Sequence, residues 1–243
     1  MKPIIVTAAT FGELSQLIST LGSGTRIQLG RRDIYEGTLG GWRVILAITG
    51  IGKVNAASTV TALLEHFEPE LLINTGCAGA YPGSGLTVGD LALATAETMG
   101  DEGVVIPDGW HSLELIGIPV LSRNGENFFN RFPLSRWAVD KASHVAQSAG
   151  LHLVQGIFAT VSTVSGTTAH GADLSRRSGA ICENMEGGSV AQVAAIYGVD
   201  CLEIRGISNL VEDRDLSRWD IPLAVERAQQ FIHQLIGALC RTE

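Results

Sequence analysis

Two glutamates and one asparagine stand where apolar runs give way to polar turns, the positions from which side chains reach a ligand. Glu13 follows the run 4–9 in Thr10-Phe11-Gly12-Glu13, Glu186 closes Glu183-Asn184-Met185-Glu186, and Asn209 ends Arg205-Gly206-Ile207-Ser208-Asn209. A glutamate can move a proton or grip hydroxyl groups, and an amide presents a donor beside an acceptor. Each also has a plain structural reading. Thr10-x-x-Glu13 fits a capping box at a strand-to-helix switch. Met185 and Glu186 fit a core residue and an interior carboxylate paired with Arg205, and Asn209 fits a turn or helix cap. Gly76-Cys77-Ala78-Gly79 fits a tight turn after a buried strand. Types and spacing leave both readings open at every one of these positions.

Several familiar chemistries lose support at once. Gly50-Ile51-Gly52 has Asn55 where a dinucleotide loop needs its third glycine, and no Gly-Lys-Ser/Thr phosphate loop occurs. The six histidines show no metal-ligand spacing, and there is no Gly-x-Ser-x-Gly elbow. No cofactor and no metal is expected.

The elements that must position these residues read as one domain spanning 1–243. An apolar share of 45% with 17% charged residues suits a packed α/β core. The net charge of -8, with no basic run, argues against a nucleic-acid partner. The N-terminal apolar stretch is too short and too weakly basic for a signal peptide, and no stretch approaches a membrane span. Cys77, Cys182, Cys201 and Cys240 lack paired spacing and read as reduced, mostly buried thiols, so the cytoplasm is the expected location.

Strands are expected at 4–9, 42–48, 71–74, 91–94, 156–161 and 201–204. Helices are expected after Glu13, at 54–67, at 188–197 and at 222–239. Strands alternating with helices imply a largely parallel sheet covered on both faces. Residues 104–133 break the rhythm with Pro107, Gly109, Pro119 and Asn124-Gly125, and read as a long excursion serving as lid or subunit contact.

Three stretches together resemble the nucleosidase and phosphorylase superfamily. They are Thr49-Gly50-Ile51-Gly52-Lys53-Val54-Asn55-Ala56-Ala57, Ile73-Asn74-Thr75-Gly76-Cys77-Ala78-Gly79, and Glu183-Asn184-Met185-Glu186 followed by Ile204-Arg205-Gly206-Ile207-Ser208-Asn209. Each is weak alone; their order and spacing are specific. Gly79-Ala80-Tyr81-Pro82 before Val88-Gly89-Asp90, and Asp101-Glu102-Gly103-Val104, are similar to the futalosine hydrolase branch, with the likeness running from Met1 to about Arg218. The resemblance implies a three-layer α/β/α sandwich with a twisted, mostly parallel mixed sheet, a homo-oligomer, no cofactor and a small purine nucleoside substrate. It also implies hydrolysis of futalosine to hypoxanthine and dehypoxanthine futalosine in menaquinone biosynthesis.

Carried over residue by residue, it makes Glu186 the grip on the ribose hydroxyls, with Met185 packing under the sugar. Glu13 orients and deprotonates the attacking water. Ala78 and Gly79 let backbone amides approach the ribose or water, and Val164 aligns loosely with a position near the base where relatives often carry an aromatic. Adenine-specific nucleosidases have Asp at the place of Asn209; a neutral amide can donate to purine N7 and to a 6-keto oxygen, which points to hypoxanthine. Phosphorylases of this fold carry arginines in the N-terminal loop, and Ala8-Ala9-Thr10-Phe11-Gly12 has none, so water is the expected nucleophile. Arg31 and Arg32 read as a solvated pair. Arg131, Arg136 and Trp110-His111 are candidates to meet the benzoate carboxylate of futalosine. A methylthioadenosine/S-adenosylhomocysteine or aminofutalosine nucleosidase is the alternative enzyme, and a catalytically silent purine-nucleoside-binding protein the alternative outside enzymology.

Overall fold

The computed structural model describes residues 2–239. β1 (Ile4–Ala8) is buried along its whole length, as its apolar sequence, interrupted only by Thr7, suits a central strand. The chain continues through α1 (Ser15–Thr20), β2 (Gly22–Leu29), β3 (Arg32–Leu39), β4 (Trp42–Ile48), α2 (Lys53–His66), β5 (Leu71–Ala80) and β6 (Leu91–Met99). Five three-residue strands follow: β7 (Val104–Ile106), β8 (Gly109–His111), β9 (Leu121–Arg123), β10 (Glu126–Phe128) and β11 (Arg131–Pro133). Then come α3 (Arg136–Ser148), β12 (Leu153–Thr160), α4 (Thr168–Ser178), β13 (Ala180–Asn184), α5 (Gly187–Tyr197), β14 (Cys201–Leu210) and α6 (Ile221–Ala238).

Ten strands form one sheet in the order β11-β6-β12-β13-β5-β1-β4-β3-β2, with β14 joining β5 to β6. That last pairing closes a ring, because β6, β12, β13, β5 and β14 each bond to the next and β14 returns to β6. A closed ring exposes no edge and surrounds its contents with backbone. Helices lie on both sides of the sheet; α2 packs against α5, and α6 against α1 and α3.

The expected mixed α/β fold is there, with a smaller parallel share than strand-helix alternation suggests. β1–β4, β1–β5, β5–β14, β6–β12 and β12–β13 run parallel. β2–β3, β3–β4, β5–β13, β6–β14 and β6–β11 run antiparallel. β2 is mostly exposed, so it left no apolar run to read.

Several boundaries moved: the strands expected at 91–94 and 201–204 run on to Met99 and Leu210, and the one expected at 156–161 begins at Leu153. The strand expected to stop at Asn74 continues to Ala80, because β14 pairs with it through Leu210 opposite Ala80; Gly76-Cys77-Ala78-Gly79 is strand rather than a loop beyond it. The excursion at 104–133 folds into the hairpins β7–β8 and β9–β10, and β11 rejoins the sheet beside β6. Cys77, Cys182 and Cys201 are free thiols, and Cys240 lies outside the described residues. Among the described residues no helix is long and apolar enough to cross a membrane.

Candidate active site

The carboxyl ends of β1, β5 and β14 converge on a cavity of about 220 Å³. Open α/β sheets place ligands at such strand ends. Glu13, Ala78, Gly79, Val164, Met185, Glu186 and Asn209 all line it, so these seven residues arrive at one place.

Glu186 sits in the turn between β13 and α5 and is only 5% exposed. Asn184 shapes that turn: its Oδ1 accepts the N–H of Glu186 at 3.0 Å and of Gly187 at 2.7 Å, satisfying amides that open α5. Glu186 Oε1 then accepts the N–H of Gly52 at 2.8 Å, at the start of α2. Gly50-Ile51-Gly52 therefore offers its amide to a protein carboxylate at a helix N-terminus, where negative charge is favoured. Burial raises the Glu186 carboxyl above its ordinary value; Arg205 and the Gly52 amide pull it back, and Glu13 and Glu203 push it further up.

Arg205 is the central cation. It is 1% exposed, pairs through Nε with Glu203 Oε1 at 2.7 Å, and points Nη2 toward Glu186 Oε2 at 3.7 Å. Burial opposes its charge, but Glu203, Glu186 and Glu13 together outweigh that and hold the guanidinium protonated. Nη2 is buried without a hydrogen-bond partner, an open donor at the cavity wall.

Glu13 realises part of both readings. Its Oε2 accepts from the backbone N–H and the hydroxyl of Thr10, both at 2.9 Å, while Oε1 accepts from Cys77 N at 3.1 Å. The Thr10 contacts brace a turn and not a helix end, since α1 starts at Ser15 behind Leu14. Gly76 makes the assembly possible: with φ +143°, a Cβ there would stand 2.4 Å from Glu13 Oε1 and 2.7 Å from Arg205 Nη1. The amide of Cys77 is thus occupied by Glu13. Burial and the Glu13 charge push the Cys77 thiol up to about 11, which leaves it a poor nucleophile.

At the β14 side of the cavity, the β5–β14 register slips between Ile207 and Asn209. Such a bulge turns consecutive side chains toward one side, and both Ser208 and Asn209 line the cavity. Asn209 Nδ2 donates to Leu210 O at 3.1 Å, and Ser208 Oγ donates to Asn209 Oδ1 at 2.8 Å. A carbonyl can only accept, so Leu210 fixes which end of the amide is nitrogen and leaves the second Nδ2 hydrogen free. The loop carrying Val164, which is 39% exposed, is fastened on both sides. Ser162 N donates to Asp101 Oδ2 at 2.5 Å. Glu183 takes Ser165 N at 2.8 Å, Ser165 Oγ at 2.7 Å and Tyr81 OH at 3.0 Å.

The remaining sequence candidates lie elsewhere. Arg32 donates to Asn55 Oδ1 at 2.5 Å, and neither it nor Arg31 lines the cavity. Arg131 donates to Ser178 O and Trp110 stacks under Arg177, both around a separate cavity of about 370 Å³. Arg136 pairs with Asp140 on the surface. Sequence reading passed over Arg205 as more than a partner for Glu186, gave Glu183 no role beyond its place in a motif, and passed over Glu97 and Glu203 altogether. Their signal was an ionisable residue next to short apolar runs such as 91–94 and 201–202. Among the described residues no three or more His, Cys, Asp or Glu are grouped to hold a metal ion.

A sequence profile described as the Phosphorylase superfamily matches residues 3–240. The chain belongs to the phosphorylase superfamily. Within this superfamily it is 36% identical over 196 residues to a futalosine hydrolase of Acidothermus cellulolyticus, covering 80% of this chain and 76% of that protein. It is 34% identical over 189 residues to a futalosine hydrolase of Thermus thermophilus, covering 78% and 79%. The crystal structure of an S-adenosylhomocysteine nucleosidase from Streptococcus pyogenes, in complex with 5-methylthiotubericidin, matches with a TM-score of 0.86 at 25% identity, covering 99% of this chain and 98% of that one. The resemblance carried by the sequence motifs holds, and this member of the phosphorylase superfamily is an N-glycosyl hydrolase of the nucleosidase type.

Proposed function

We propose that the chain hydrolyses futalosine, freeing hypoxanthine and leaving dehypoxanthine futalosine, as a step of menaquinone biosynthesis. The observation that carries this reading is the Asn209 amide, fixed by Leu210 O so that one N–H is left to donate into the cavity. A 6-oxopurine offers two acceptors, N7 and the keto oxygen, to such a donor. A 6-aminopurine would bring its own donor there.

Cleavage of the N-glycosidic bond builds positive charge on the ribose and negative charge on the leaving base. Glu186, held by Gly52 and faced by Arg205, grips the ribose hydroxyls and stabilises the sugar cation. Met185 packs beneath the sugar, and Ala78, Gly79 and Val164 complete the walls. Glu13 takes the proton of the attacking water. Asn209 donates to the departing purine. Arg205 is the one cation among the residues lining the cavity, and Glu203 already neutralises it, so little positive charge is left to receive phosphate.

Incubation with futalosine is expected to release hypoxanthine at the same rate with and without inorganic phosphate. A requirement for phosphate overturns the reading. So does a higher kcat/KM for adenine release from 5′-methylthioadenosine, the reaction type suggested by the likeness to the streptococcal nucleosidase.

A further inference from the structure

Behind the cavity, Glu97 of β6 is fully buried, and the chemistry above gives it no part. Its Oε1 accepts from Asn184 Nδ2 at 2.6 Å, and its Oε2 lies 2.8 Å from Thr160 Oγ1. Thr160 Oγ1 also receives the N–H of Gly188 at 2.6 Å and lies 3.1 Å from Asn184 Oδ1. The orientation of the Asn184 amide is fixed, because two backbone N–H groups point at its oxygen.

Counting protons settles the state of Glu97. The series Glu97 Oε2, Thr160 Oγ1, Asn184 Oδ1 contains two contacts and needs two hydrogens, and Thr160 owns one. An ionised Glu97 supplies none and would leave one contact acceptor against acceptor. A carboxylic acid supplies the second: Glu97 O–H donates to Thr160 Oγ1, and Thr160 O–H donates to Asn184 Oδ1. Both lone pairs of the hydroxyl are then filled, by Glu97 and by Gly188.

The surroundings favour the neutral acid. A Cβ on Gly187 would stand 2.2 Å from Glu97 Oε1 and 2.3 and 2.5 Å from the two oxygens of Glu203, so both carboxyls converge on one Cα. Glu203 is committed to Arg205, so Arg205 and the polar contacts of Thr160 and Asn184 offset a second negative charge only in part. The other titratable groups facing Glu97 are Arg205 on β14, which favours its ionised form, and Cys182 on β13 and Cys201 on β14, whose thiols burial pushes up. Burial, followed by the Glu203 charge, likewise raises the Glu97 carboxyl.

We propose that Glu97 is a proton-bearing positioning residue: as a neutral acid it locks Thr160 and Asn184, and Asn184 in turn fixes the turn that presents Met185 and Glu186 to the cavity. Its effect on turnover rests on the nucleosidase reading of that cavity; its protonation does not. Loss of the proton at alkaline pH breaks the series and loosens the turn.

Infrared spectra of wild type minus Glu97→Gln are expected to contain a protonated-carboxyl C=O band that shifts in D2O, and absence of that band overturns the proposal. Glutamine keeps an acceptor toward Asn184 and a donor toward Thr160. Glu97→Gln should therefore hold kcat on futalosine within about threefold and lose the alkaline decline of the wild type. Glu97→Leu strands both partners and should lower kcat about tenfold or more with little change in KM. A large kcat loss in Glu97→Gln, or an unchanged kcat in Glu97→Leu, rejects the positioning role. A wild type that cleaves no futalosine rejects the substrate reading, while the infrared band still decides where the proton sits.

Discussion

The backbone N–H of Gly52 reaches Oε1 of Glu186 at 2.8 Å, so the loop that opens α2 and the turn that opens α5 meet on one carboxylate. That carboxylate is oriented before any ligand arrives.

Glu186→Gln keeps an oxygen for Gly52 and removes the negative charge. Turnover of futalosine is expected to fall about 10²–10³-fold, with hypoxanthine still binding in equilibrium titration. An unchanged kcat removes Glu186 from the chemistry.

Acting as an ionised group, Glu186 should set the acidic limb of the rate profile. Burial raises it above the ordinary 4.5, so kcat/KM should climb with pH through a midpoint above that value. A profile flat down to ordinary glutamate titration contradicts the assignment.

Asn209→Asp replaces the free N–H by an acceptor. The ratio of kcat/KM for hypoxanthine-bearing over adenine-bearing nucleosides is expected to drop by about 10²-fold or more. An unchanged ratio, measured on matched inosine and adenosine analogues, removes the base argument.

Glu97 also leaves a mark on stability. Its folded-state value is raised, so above the ordinary 4.5 the unfolded chain releases a proton that the folded protein keeps. Stability due to this group is full below the unfolded value and is lost as pH rises from there toward the folded value. Glu97→Gln has no such loss, and should gain on wild type by at most roughly 1.4 kcal/mol per pH unit across that window. Urea titrations at about pH 5 and about pH 7 measure the gap, which must widen.

Gly76→Ala forces a side chain into a left-handed backbone and against Glu13 and Arg205. A loss of about 1–3 kcal/mol in urea unfolding is expected, together with reduced turnover. Wild-type stability in this variant would mean that the two side chains move aside freely.

Much of this arrangement was legible in the residues. The buried runs that became β1, β4 and β5, and the 3.6-residue spacing that became α2, α5 and α6, followed from hydrophobic period alone. Glu13 stands just past an apolar run, while Glu186 and Asn209 were picked out by the motifs that carry the resemblance. Their grouping could not be read without the resemblance, since sequence spacing says nothing about which strand ends meet. β2 was missed because it is exposed on most of its length, and β13 because five residues carry little periodicity. The polar residues buried on the ring strands were hidden for another reason: Glu97 and Glu203 are ionisable side chains out of water, and hydropathy treats such residue types as marks of the surface. Glu13 shows the limit in one side chain, where the turn brace and the cavity carboxylate are the same group, divided between its two oxygens.

The ring of β6, β12, β13, β5 and β14 bears on how the enzyme is made. Gly52 and Glu186 are 134 residues apart, and Arg205 and Asn209 come later still, on the strand that completes the ring. A growing chain that stops before Cys201 already carries Glu13 and Glu186 but has neither the cation that faces them nor the amide that lines the far side of the cavity. Contacts of such long range form late in folding. The cavity is therefore complete only once β14 is in place, and Arg205, Ser208 and Asn209 all join its wall with that one strand.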